Sequence, residues 1–294
     1  MTHFILLFLA NCCNILFFGT ILNLMGLPSD NIYSCVLMYI FFNLQQSIIA
    51  LYFSKQNSLK SVNGTIINFP CNNIEKRLVE AVKQQSQLVG IKTPTIAVYS
   101  SPTMNAFATG FKKNNSLIAF SSSLLTTMNH EEIEAIIAHE LTHITRRDVI
   151  TMIVLQNIVN ASIFFVSQVL FRYFLKFFPI YKKNYSVKKS ILFAHLPIIH
   201  KYTINIISSA ITMWFSRKRE FYADAGAAKI VGCKKIIAAL KRLKNSCNPQ
   251  EPESIHTLCI NGKYNKYISF FRSHPTLDQR IEAIKKRKYI SSKV

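Results

Sequence analysis

His139-Glu140-Leu141-Thr142-His143 is the stretch on which the reading of this chain turns. It lies inside Asn129 to Asp148, a run with no Gly and no Pro. On a helix, His139 and His143 are four residues apart, so both imidazoles leave the same face. Two neutral imidazoles so placed can each give one nitrogen to a single Zn²⁺. Glu140 follows the first His directly, where it can act on a water beside the metal without itself being a ligand. By chance an HExxH string turns up on the order of once in a hundred chains of this kind. A further ligand on another element is therefore needed before the motif carries weight.

Working outward, the motif sits between two strongly apolar regions. Half of the 294 residues are hydrophobic and mean hydropathy is +0.20, with the apolar residues clustered. That excludes an ordinary soluble enzyme and predicts a membrane protein with a soluble part. Phe4 to Met25 and Ile32 to Phe53 carry no charged side chain, and the turn Gly26 to Asn31 joins them into a hairpin. Phe4 to Met25 lacks a basic leader and a small-residue cleavage site, so it reads as an uncleaved span. Val149 to Phe171 is a third uncharged window, and Ile191 to Phe215 is a fourth apolar one. His195, His200 and Lys201 fall inside the fourth, where a charge at mid-bilayer costs at least ~2.5–3.5 kcal/mol. A shallow re-entrant or interfacial hairpin is the alternative for that segment. His195 and His200 read as polar groups within a helix bundle, not as a second metal site. Lys55, Lys60, Arg146, Arg147, Arg217, Lys218 and Arg219 border the soluble segments, which places those segments in the cytoplasm. The connection of the second hairpin carries Lys182, Lys183, Lys188 and Lys189, which argue against its lying on the far side of the membrane.

The domain reading follows: a transmembrane hairpin over 1–53, the first part of a catalytic domain over 54–148, a second hairpin over 149–215, and the rest of the domain over 216–294. Within the soluble parts, Ile74 to Val89 has helical periodicity and Gly90 ends it. Thr95 to Tyr99, Ala106 to Phe111 and Leu117 to Phe120 read as short strands of a small antiparallel sheet. Asn129 and Glu132 form a capping box ahead of the motif helix. That helix has no breaker before the third apolar window, so it is expected to run on into it. After the fourth window, Glu220 and Asp224 lie four apart on one helical face. Gly226 to Asn245 resumes as an amphipathic helix. Ser246 to Lys263 reads as a loop, Tyr264 to Phe271 is aromatic-rich, and Ser273-His274-Pro275 opens a final helix from Leu277.

The chain carries 35 Lys and Arg against 14 Asp and Glu, a net charge of +21. The cations are scattered and no nucleic-acid motif is present, so an anionic membrane face is the expected partner rather than nucleic acid. Seven cysteines without a C-x-x-C pair exclude a disulfide framework and a Cys-ligated zinc site.

A catalytic zinc takes three protein ligands and keeps one position open. Glu220 suits the third place, and Asp224 can accept the remaining N–H of a ligand His. The competing reading of both is a solvated face beside Arg217 and Arg219. Here the sequence resembles a known family. Ala138-His139-Glu140-Leu141-Thr142-His143, Ser216 to Gly226, Ser273-His274-Pro275 and Asn105 to Gly110 are similar, in order, to signature blocks of the HtpX family. These are bacterial inner-membrane zinc endopeptidases related to eukaryotic zinc CaaX prenyl proteases. The resemblance covers nearly the whole chain. It implies about four transmembrane helices, a zincin-like α+β catalytic domain, and one Zn²⁺ per chain on His139, His143 and Glu220. It also implies cleavage of membrane or misfolded proteins at the cytoplasmic face, in envelope quality control under stress.

In the mechanism so implied, the metal acidifies a water and polarises the scissile carbonyl. Glu140 takes the water's proton and passes it to the leaving amine. Asn105 to Gly110 is a candidate edge strand for an extended substrate, with Asn105 itself a candidate substrate contact. His274 either stabilises the oxyanion or caps and packs under the site, and the latter is favoured. Arg280 is expected at the surface or in a salt bridge. A non-enzymatic membrane scaffold or transporter with an incidental HExxH is the competing class. Prenyl-peptide processing is a third, for which four spans are too few to build a closed chamber.

Overall fold

The computed structural model describes residues 32–177, 187–246 and 274–290. The first apolar window, nearly all of the loop Ser246 to Lys263, and the aromatic run Tyr264 to Phe271 lie outside the described residues. So do the side chains of His195 and His200. The described chain is mostly helical with one small sheet. In order it runs α1 (Ile32–Ser61), β1 (Thr65–Ile66), α2 (Asn73–Leu88), β2 (Thr95–Tyr99), β3 (Ala106–Lys112) and β4 (Asn115–Ser121). There follow α3 (Ser122–Thr127), α4 (His130–Arg146), α5 (Asp148–Phe177), α6 (Val187–Val231), α7 (Cys233–Ser246) and α8 (Leu277–Lys285).

The chain divides into two compact units, residues 1–49 with 153–212, and residues 50–152 with 213–294. In the first, the helices are tied by polar side chains within apolar surroundings. Asn157 donates to Ser47 Oγ at 2.8 Å, and Ser208 Oγ donates to Asn160 at 2.5 Å. Such contacts are typical where the hydrophobic effect cannot hold helices together. Among the described residues one segment, Asp148–Val166, is long and apolar enough to cross a membrane.

The second unit holds the sheet, in the order β1-β2-β4-β3. Contrary to the expectation of an antiparallel sheet, it is mixed. β3 and β4 form an antiparallel hairpin, but β2 and β4 are parallel, with Thr95 opposite Leu117 and Tyr99 opposite Ser121. The reason is burial. In β4 every residue from Ser116 to Ser121 is buried, so it takes the central place. The chain leaves β2, passes the end of β4's slot and runs back along β3. Asn105 then pairs with Ser121 through both of its main-chain groups. β3 is left as an edge strand.

α4 begins where the capping box was expected. Asn129 accepts from the Glu132 amide at 2.9 Å and Glu132 accepts from the Asn129 amide at 3.0 Å. Its apolar residues Ile133, Ile137 and Leu141 enter a core shared with Val82 of α2, Ile118 and Phe120 of β4, Leu240 of α7 and Leu277 of α8. The helix does not run on into the third apolar window. Arg147 takes a left-handed conformation, φ 56° and ψ 41°, closing α4 before α5 starts at Asp148. Conversely, α6 continues from the fourth window through Glu220 and past Gly226. It ends at Gly232, whose φ of 89° a side chain would resist, so the expected restart at Gly226 is displaced to Cys233. Gly226 has a different task. A Cβ there would lie 2.3 Å from Thr142 Cγ2, so its absence lets α6 press against the motif helix.

Candidate metal centre

His139 and His143 come from α4, Glu220 and Asp224 from α6, and Arg280 from α8, all within the second unit. The His139 and His143 Nε2 atoms face each other at 3.1 Å. Glu220 Oε2 is 3.5 Å from the first and its Oε1 is 3.7 Å from the second. One donor atom from each of the three residues lies within 4.8 Å of the others.

The outer nitrogens are engaged elsewhere. His139 Nδ1 donates to Asp224 Oδ1 at 3.0 Å. His143 Nδ1 donates to Asp148 Oδ2 at 2.7 Å. A carboxylate can only accept, so each contact fixes a proton on Nδ1 and leaves Nε2 as the free donor atom. Two nitrogen lone pairs and a buried carboxylate converging on one point can hold a cation there. The N₂O set, with small separation and burial, suits Zn²⁺.

The charges around the point are fixed by one guanidinium. Arg280 makes a bidentate pair with Asp224, at 2.7 and 2.6 Å, and reaches Glu220 Oε2 at 3.4 Å. It is only 6% exposed, which corrects any surface reading. Burial opposes charge on Glu220, yet hydrogen bonds from His139 and His274 and the Arg280 charge hold its carboxyl well below the usual range. Asp224 is depressed against the same burial cost by the Arg280 charge and by hydrogen bonds from Arg280 and His139. Burial also disfavours charge on His139, but hydrogen bonds to Asp224 and Glu220 carry its pKa up to about 10. In the metal-free protein a proton thus takes the cation's place.

A cavity of about 280 Å³ opens on this point. Glu140, Asn105, His139, Glu220 and His274 all line it. His274 Nδ1 stands 3.3 Å from Glu220 Oε2, with its side chain partly exposed. All seven residues singled out in the sequence therefore meet at one place. Two that were not assigned to it also belong there, Asp148 and Arg280. Asp148 had a visible signal, as the lone acid just ahead of an apolar window. Arg280 had none, being far from its partners along the chain.

A mostly helical fold around an HExxH pair and a glutamate from a second helix defines the class as a metallopeptidase. A family model for Peptidase family M48 matches residues 72–288. The chain belongs to peptidase family M48, as a membrane-bound metallopeptidase. Protease HtpX of Buchnera aphidicola subsp. Baizongia pistaciae is 43% identical over 291 residues, covering 99% of this chain and 100% of that protein. Protease HtpX of Photorhabdus laumondii is 42% identical over 294 residues, with 99% and 100% covered. Among solved structures, S. mikatae Ste24p is similar in fold, with a TM-score of 0.63 at 20% identity. That match covers 96% of this chain and 64% of the Ste24p chain, so this chain spans less than two thirds of its length.

Proposed function

We propose that the chain is a zinc endopeptidase of the bacterial inner membrane. It crosses the bilayer about four times and cleaves membrane or misfolded proteins at the cytoplasmic face, in envelope quality control under stress. The observation that carries the reading is the convergence of His139 Nε2, His143 Nε2 and Glu220 on one point beside Glu140 in an open cavity. The apolar windows and their basic flanks support the membrane placement.

His139, His143 and Glu220 would hold the ion, and a bound zinc supplies Lewis-acid polarisation of the scissile carbonyl and an acidified water. Glu140 accepts the proton of the attacking water and delivers it to the leaving nitrogen. Asp224 and Asp148 keep the two imidazoles in the tautomer that presents Nε2. His274 and Arg280 steady Glu220. The Asn105 side chain is placed to orient the substrate's amide, since its own main-chain groups are already paired to Ser121. The remaining edge of β3 accepts an extended peptide by strand addition.

Glu140→Gln tests this directly. The variant is expected to keep one zinc per chain by metal analysis and to lose cleavage of an unfolded casein-type substrate by about 10²-fold or more. Retained cleavage would overturn the assignment of the base.

A further inference from the structure

Away from the metal centre, the second unit has another cavity, of about 440 Å³. One wall is a face of α6 carrying Trp214, Arg217, Lys218 and Phe221, and the other comes from α8 and the residues after it, including Lys286, Lys288 and Tyr289. The mechanism uses none of these side chains. The volume is that of a small-ligand pocket.

The lining has two chemistries. Arg217, Lys218, Lys286 and Lys288 line it with one carboxylate, Glu282, and Lys286 pairs with Glu282 at 2.6 Å. The rest of the lining includes three aromatic rings, Trp214, Phe221 and Tyr289. Phe221 and Tyr289 stack at 5.3 Å, and Lys218 Nζ lies 4.0 Å from the Trp214 ring centroid. Trp214 and Phe215 close the fourth apolar window and are both partly exposed. Trp at the end of an apolar helix, followed at once by Arg and Lys, is the pattern of the bilayer's headgroup layer. A pocket at that depth, basic inside and aromatic along one wall, offers charge to a phosphate and apolar surface to the glycerol and first acyl carbons.

We infer that this pocket binds the headgroup of an anionic phospholipid, with Arg217, Lys218 and Lys288 on the phosphate and Trp214 against the lipid's apolar part. The inference rests on the membrane reading above, but not on the metal chemistry. Free inorganic phosphate shares the oxyanion but lacks the apolar part that the aromatic wall would contact.

Trp214 is the only tryptophan in the sequence, so its fluorescence reports on the pocket alone. The full chain is reconstituted in phosphatidylcholine vesicles and flotation is checked. Equal small amounts of phosphatidylglycerol or phosphatidylcholine, each spin-labelled high on the acyl chain, are then titrated in. The labelled phosphatidylglycerol is expected to reach half-maximal quenching at about fivefold or more lower mole fraction. Arg217→Gln/Lys218→Gln/Lys288→Gln should remove that preference while still binding zinc. Lys229→Gln/Lys234→Gln, on exposed positions outside the pocket, should retain it. Millimolar inorganic phosphate should not reverse the quenching. Equal quenching by both lipids, or a preference that survives the triple substitution, overturns the proposal. So does loss of the preference in the Lys229/Lys234 variant, since general surface charge would then explain it. Reversal by phosphate reassigns the pocket to the free anion. Failure to float in phosphatidylcholine removes the membrane reading itself, a result separate from any lipid preference.

Discussion

Arg280 and Asp148 are the two residues whose removal best tests how the centre is held. Arg280 is the buried cation between Asp224 and Glu220. Arg280→Met leaves both carboxylates without it, which costs about 3–5 kcal/mol. The expected readout is a lower denaturation midpoint, and Arg280→Lys should recover only part of it, because an ammonium cannot reproduce the bidentate pair. An unchanged midpoint in Arg280→Met would mean that solvent already screens the pair. Asp148 acts through His143 Nδ1. Asp148→Asn is expected to weaken zinc binding about 10–100-fold in a chelator competition, while cleavage at saturating zinc is largely retained. Much of this scale was legible beforehand. Helical spacing alone pairs His139 with His143 and Glu220 with Asp224. Asp148 stands out as an acid ahead of an apolar window, but its offset conceals its partner, for a residue five positions on faces away unless the helix breaks, and the left-handed Arg147 supplies that break.

At the scale of elements, the contact between α4 and α6 depends on what Gly226 lacks. Gly226→Ala drives a methyl into Thr142, and overpacking of this kind costs about 1–3 kcal/mol. Thr142→Ala in the same chain removes Cγ2 and Oγ1, so the double variant should regain much of the loss. Simple additivity in the double-mutant cycle would show that the two helices yield elsewhere. The positions of β2, β3 and β4 were readable from β-branched and turn residues, and the start of α4 from its capping box. Sheet order was not readable, because pairing depends on which strand is buried on both faces, a tertiary matter. The absence of Gly and Pro from Asn129 to Phe178 likewise hid the break at Arg147. Left-handed geometry favours Gly but does not require it.

For the whole molecule, the centre links folding to pH in a way that depends on metal. The His139 pKa is raised from 6.5 to about 10 in the metal-free protein. A raised pKa adds stability that is fully present below pH 6.5 and is lost as pH climbs through 10. The depressed carboxylates Glu220 and Asp224 act at the acid end and stay constant across that window. Zinc displaces the proton on binding, so the loaded protein lacks this alkaline loss. The gap in Tm between zinc-loaded and chelator-treated protein should therefore widen from pH 6.5 toward 10. A constant gap would contradict the protonated His139. Composition alone pointed to the membrane class, since half the chain is apolar and clustered. It could not show that one compact unit is assembled from residues 50–152 and 213–294.

The pairing of Arg280 with Asp224 and Glu220 also has a consequence in time. A ribosome delivers α4 first, α6 many residues later and α8 later still. A nascent chain halted before Thr276 already carries both imidazoles and both carboxylates, but lacks the guanidinium that makes their burial tolerable. The compensated arrangement of the two buried carboxylates is thus completed only late in translation, once residue 280 has been added.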